Sequence, residues 1–158
     1  MVKRLLAVLL LSAPLLVYGQ TAEDFSNTVD FALTLGDLNR VAASGDSGAL
    51  PDRLVIVEAA VASREVVNGD AEAYLGELML VSGEWIGVSE VVRYQCVLQL
   101  TGPEFAAAIP ARRSRKANPA EIALNTRILT VASVVDVRQL ADGTYIPVLL
   151  AHYIRRIQ

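Results

Sequence analysis

The sequence predicts a mainly β chain with short helices, an α+β arrangement in which a small barrel of five strands follows an N-terminal helix. Three observations predict it. Val91 to Leu100 alternates Tyr94, Cys96, Leu98 and Leu100 with Arg93, Gln95, Val97 and Gln99, the period of a half-buried strand. Four further segments rich in Val, Ile and Leu read as strands and are separated by turns bearing Gly, Asn or Asp. At 158 residues the chain has room for one core of ordinary size and not for two.

The N-terminus reads as an export signal. Met1-Val2-Lys3-Arg4 is a basic start, Leu5 to Val17 is a leucine-rich run, and Val17-Tyr18-Gly19 offers small residues at a cleavage position. A helix over that run would cover only about 20 Å, short of the roughly 30 Å hydrocarbon core, so no stable transmembrane span is expected once it is cleaved. Residues 1–19 are therefore expected to be a signal peptide, 20–52 an N-terminal helical segment and 53–158 the barrel. The reading places the mature protein in the periplasm or outside the cell. Without Lys3 and Arg4 the chain holds 12 basic and 17 acidic residues, a net charge of −5.

Thr21 to Asp24 resembles a helix start, and Val29, Phe31, Leu33 and Leu35 then alternate like a strand. A clearer helix follows, with Thr34 and Asp37 set as a reciprocal cap, Leu35, Leu38, Val41 and Ala42 at helical spacing, and Gly45 to end it. Arg53 to Val67 reads as a long, bent first strand, and Asn68-Gly69-Asp70 as its turn. Tyr74 to Val81 is the second strand. Gly83 and Gly87 flank the only tryptophan, Trp85, and suit a bulge or sharp bend at a barrel corner. Trp85 is accordingly expected to be buried beside Ile86, the alternative being exposure for stacking on a sugar.

The opening segment, Val91 to Leu100, is strand three, and Cys96 on its apolar face is expected to be buried and unreactive. Glu104 to Ile109 suits a short helical turn that Pro110 stops. A basic loop follows at Arg112, Arg113, Arg115 and Lys116. Asn118-Pro119-Ala120-Glu121 has the cap, proline and acid of a short helix start. Arg127 to Arg138 is strand four, Ala141-Asp142-Gly143 turns the chain, and Thr144 to Ile157 is strand five. Pro147 within it has no amide to give a ladder, so its nitrogen should face an edge or a bulge.

Helix, two long hairpinned strands, third strand, helical connection and final hairpin together resemble the OB-fold, the five-stranded Greek-key barrel that often carries a helix between its third and fourth strands. The resemblance is one of topology over Arg53 to Ile157. It rests on the Gly-bearing segment after strand two and on the Val131 to Val137 run before the closing hairpin. The chain is similar in this respect to small exported OB-like domains of bacterial envelopes and to anticodon-binding-like barrels. That resemblance implies binding rather than chemistry, with no cofactor. Strand three offers no outward aromatic platform for bases, and the chain is acidic overall, so nucleic acid is disfavoured as a partner.

The candidate binding residues are Arg93, Gln95 and Gln99 on the outward face of strand three, with the basic loop Arg112, Arg113, Arg115 and Lys116. Arg155 and Arg156 lie close by at the end of the last strand. Their charge points to an anionic glycan, a lipid headgroup or an envelope protein. Catalytic readings are poor. A Ser or Cys nucleophile wants a histidine within reach, and the one histidine, His152, is expected to be a satisfied barrel residue or simply exposed. Glu77, Glu84 and Glu90 show no spacing that marks an acid and base pair, and no metal cluster can be drawn. The function expected is an exported, non-catalytic binding or interaction domain. A structural envelope protein docking on a partner chain is the alternative, and a small hydrolase the third reading.

Overall fold

The computed structural model describes residues 27–110 and 118–157. Within them lie β1 (Val29–Asp30), helix α1 (Leu35–Ala42), β2 (Leu54–Asn68), β3 (Leu75–Ile86), β4 (Glu90–Thr101), β5 (Arg127–Gln139) and β6 (Tyr145–Arg156). Single 3-10 turns sit at Ser47–Ala49 and Pro103–Phe105. The strands run β1-β2-β3-β4-β6-β5 across the sheet, and a further pairing of β2 with β5 closes it. Apart from β1, every pairing is antiparallel except β4 with β6, where Val97 to Gln99 run parallel to Val148 to Leu150. A closed five-strand circuit with this order is the OB-type Greek-key barrel.

One strand makes the closure possible. β2 alternates Val55, Val57, Ala59 and Val61 into the core, all buried, and is long enough to serve two partners. Val55 to Ala60 pair with β5, whereas Ala60 to Asn68 pair with β3. A register shift between Val61 and Ser63 marks the bend at which it passes from one to the other. Leu78, Leu80, Cys96, Leu98, Leu100, Ile128 and Leu149 meet inside at 0 % exposure. Among the described residues Thr130 is the buried polar one, and it is satisfied because its hydroxyl donates to the Tyr153 carbonyl at 2.8 Å.

Helix α1 closes one end. Thr34 and Asp37 form the expected capping box, with the Asp37 amide donating to Thr34 Oγ1 at 3.2 Å and the Thr34 amide to Asp37 Oδ2 at 3.0 Å. The hydroxyl and amide of Thr34 and the guanidinium of Arg40 pull the Asp37 carboxyl down to about 2. Leu35 and Leu38 point into the barrel. On the neighbouring strand, Asn39 gives Nδ2 to the Gln95 carbonyl at 2.9 Å and takes the Gln95 amide on Oδ1 at 3.2 Å, so one side chain imitates a ladder partner on the edge of β4 away from β3, where β6 no longer pairs.

Four local expectations change. Ser82 to Gly87 is no bulge or corner: β3 runs through it to Ile86 and pairs with β4 without a register break, and the reversal falls at Gly87, whose φ is +66°. The alternation at Val29 to Leu35 yields a sixth, two-residue strand, because Phe31 is exposed and Leu35, although buried, already begins the helix. Asn118 to Glu121 makes one turn and no helix, since the next amide, Ile122, donates instead to the Ala108 carbonyl and its side chain enters the core. Leu75 rather than Tyr74 opens the second barrel strand; Tyr74 is buried before it and its hydroxyl donates to the Ile109 carbonyl at 2.9 Å. Pro147 sits beside a register shift between Val134 and Asp136, as its missing amide requires. The expected signal peptide, residues 1–19, lies outside the described residues.

Candidate binding surface

The outward face of β4 was expected to be open, and the barrel closes most of it. Val97 is only 2 % exposed and packs with Ile146 and Val148 in a second small apolar cluster, with Met79 and Leu140 at its margin. What holds this cover is an ion pair at the turn end of the β5–β6 hairpin. Arg138 gives both terminal nitrogens to the two carboxylate oxygens of Glu77 on β3, each at 2.7 Å. Gln99 donates Nε2 to the same carboxylate at 3.1 Å. The guanidinium holds the Glu77 carboxyl below the usual carboxylate range, with burial opposing it and Gln99 assisting.

Two of the predicted site residues sit in settings that the sequence did not show. Gln99 is half-buried and engaged by Glu77, and Gln95 is half-buried with its backbone engaged by Asn39. Arg93 is exposed and has no ion-pair partner among the described residues. Arg112, Arg113, Arg115 and Lys116 lie outside the described residues.

Beyond Val81 and Gln95 the β3–β4 pair leaves the barrel as a two-stranded ribbon, since β2 stops pairing at Val81 and β6 meets β4 only at Val97 to Gln99. Its apolar side chains have no core to enter. Trp85 is 69 % exposed, Ile86 51 %, Val88 at the turn 99 % and Val91 50 %. Burial of Trp85 is thus overturned: with no bend at Gly83 and the reversal only past the ring at Gly87, the side chain is carried out along the ribbon rather than tucked under a corner. Cross-strand registration puts Trp85 beside Val91 and Gly83 beside Arg93. One ribbon face therefore presents a tryptophan, a valine and an unpaired guanidinium. The other is anchored at its base by Tyr94, whose ring lies so close to Gly36 of α1 that an added Cβ would stand 3.0 Å from it. The Tyr94 hydroxyl donates to Glu84 at 3.1 Å, and that carboxylate raises the phenol's pKa.

The residues weighed for chemistry are dispersed. Glu77 is on the Arg138 pair, Glu84 is on Tyr94, and Glu90 is exposed at the ribbon turn, opposite Ile86. His152 is exposed, with Nε2 2.7 Å from Ser133 Oγ. No described carboxylate hydrogen-bonds the other ring nitrogen, which a hydrolytic triad would use to orient the imidazole. Cys96 is fully buried, and burial pushes its thiol up to about 12. Among the described residues no group of His, Cys, Asp and Glu could hold a metal ion, and no helix is long and apolar enough to cross a membrane.

The class this fold and surface define is an OB-type barrel carrying a protruding apolar ribbon. No protein-family model matches the sequence, and a search of curated proteins finds no match. Among solved structures the chain is similar to the mitochondrial single-stranded DNA binding protein Rim1 from S. cerevisiae, at 12 % identity and a TM-score of 0.36, over 69 % of this chain and 98 % of that one. The likeness is one of fold. The expectation that nucleic acid is an unlikely partner is withdrawn beside this match to a single-stranded DNA binding protein, which itself assigns no partner to this chain.

Proposed function

We propose that this protein is a non-catalytic binding domain that grips a partner protein with the β3–β4 ribbon. The observation that supports this reading best is that Trp85 and Val91, opposite each other on one ribbon face, and Val88 at the turn are each at least half exposed, with Ile86 exposed on the other face. Scattered apolar residues on a surface are ordinary, but a contiguous set on a projection marks a contact site, and tryptophan is the side chain most often at the centre of one. The partner surface that fits is an apolar cleft with a carboxylate at its margin. Trp85 and Val91 would fill the cleft, and Arg93 on the same face would meet the carboxylate. Export from the cell, and a role for the cationic side chains of Arg112, Arg113, Arg115 and Lys116 in attracting an anionic partner, belong to the same proposal on sequence grounds.

A photo-cross-linking amino acid at Val88 in the full chain tests it in cells. A discrete protein adduct that disappears on Trp85→Ser and weakens on Arg93→Gln supports the reading. Absence of any adduct, or one unaffected by either change, would sink it. Sedimentation of the protein with neutral and anionic vesicles, abolished by Trp85→Ser, would reassign the ribbon to a lipid surface.

A further inference from the structure

A second, independent site lies along β6. One edge of this strand is paired with β5 from Tyr145 to Arg156, but the other pairs only through Val148 to Leu150, with β4. From Ala151 onward the second edge has no strand beside it among the described residues. A groove of about 400 Å³ runs along this stretch, with the five consecutive residues His152 to Arg156 on one wall and Phe105, Ala108, Pro119 and Ile122 on the other. No backbone hydrogen bond crosses from the second wall to β6.

The charge on this edge is also unspent. Of the eight described arginines, Arg40, Arg53, Arg64, Arg127 and Arg138 are ion-paired, whereas Arg93, Arg155 and Arg156 are not. Two of those three are adjacent on this edge and exposed, beside the exposed His152. The edge is held in shape by its own bulge. Register slips at His152, between Val131 opposite Tyr153 and Ala132 opposite Ala151, and Thr130 fixes the Tyr153 carbonyl.

We infer that the Ala151–Arg156 edge accepts an extended acidic peptide segment of a partner protein as an added strand. Main-chain hydrogen bonds along the open edge supply the register, and Arg155 and Arg156 take carboxylates of the incoming chain by charge-assisted hydrogen bonds. Cations on a free edge also repel unwanted strands, and the two roles agree: a neutral or basic strand is refused, an acidic one admitted. A second copy of this chain is a poor occupant, because antiparallel pairing of two such edges over Ala151–Arg156 would set Arg155 opposite His152 and Arg156 opposite Ala151, with no carboxylate to meet either guanidinium. Glu104 lies at the same groove and leaves the pair of arginines in excess.

The test is fluorescence anisotropy of the full chain with a labelled acidic peptide alternating Glu with Val and Thr. Its Lys-for-Glu counterpart and a copy N-methylated at alternate amides are run in parallel. The acidic peptide should bind, and the double variant Arg155→Gln, Arg156→Gln should weaken it by about tenfold or more while thermal unfolding is unchanged. The Lys peptide should not bind, and N-methylation should abolish binding because it removes edge donors without changing charge. Equal binding of the methylated copy, no binding of the acidic peptide, or indifference to the double variant would each overturn the inference. Competition by a single-stranded oligonucleotide in place of peptide binding would assign the two arginines to phosphate and overturn it likewise.

Discussion

Arg138 on β5 and Glu77 on β3 form a two-pronged ion pair, both contacts 2.7 Å, across a face whose central residue, Val97, is almost fully buried. The pair fastens the β5–β6 turn over the outer surface of β3 and β4. Its two partners are unequally wet: the Glu77 side chain is 16 % exposed and that of Arg138 41 %.

This inequality predicts an asymmetric mutational response. Glu77→Gln leaves a guanidinium that reaches water and should cost about 1 kcal/mol, whereas Arg138→Met strands a mostly covered carboxylate and should cost about 2–3 kcal/mol. Denaturant unfolding of both variants checks the order, and an equal or reversed loss would contradict the geometry.

The same pair sets a pH dependence. Glu77 has a folded-state pKa below its ordinary 4.5, so its contribution is complete above that ordinary value and is lost as pH falls through the lower folded one. The stability gap between wild type and Glu77→Gln should therefore be constant near neutrality and shrink below about pH 4.5. Thermal unfolding of both proteins from pH 7 to pH 3 measures it.

Asn39→Ala removes the acceptor of the Gln95 amide and the donor to the Gln95 carbonyl at a position where no strand can replace them. A loss of about 1–3 kcal/mol follows, with an unchanged denaturant slope. Retention of full stability would show that water serves these groups equally well.

Trp85 is the sole tryptophan, which makes its exposure directly measurable. Its fluorescence should be quenched by iodide as readily in the native as in the unfolded protein, and its emission should change little on denaturation. Trp85→Ala should alter stability by no more than about 0.5 kcal/mol, since no core contact is lost.

Cys96, with its thiol raised to about 12 by burial, should resist thiol reagents in the native protein at pH 8 and react at once in denaturant. Rapid native labelling would place the side chain outside the core.

The barrel was legible because its signals are local and periodic. The alternation of Tyr94, Cys96, Leu98 and Leu100 identified the inward face of β4, the Thr34–Asp37 spacing identified the cap of α1, and the length of β2 announced a strand that bends. The binding surface was much less so. Arg93, Gln95 and Gln99 alternate identically, and nothing local told the exposed arginine from the two half-buried glutamines, Gln99 held by its side chain and Gln95 by its backbone. Trp85 misled for a related reason. Glycines on either side suit a bend or a straight ribbon equally, and the choice depends on whether β2 and β6 extend far enough to pair there. The Ser133 to His152 contact across β5 and β6 carried no sequence signal, for it depends on a bulge that shifts the register of one strand by a residue.

By itself the sequence determined which segments become strands, which face of each turns inward and where the helix is capped, because these follow from side-chain period and from hydrogen bonds spanning a few residues. Tertiary structure alone decided which outward face is covered, which cations are spent and which edge is left open. Those outcomes turn on contacts such as Arg138 with Glu77, 61 residues apart, and on where β6 ceases to pair with β4. A residue's neighbours along the chain carry no record of such a meeting, since its energy arises only once the barrel has closed and brought the two strands to the same face.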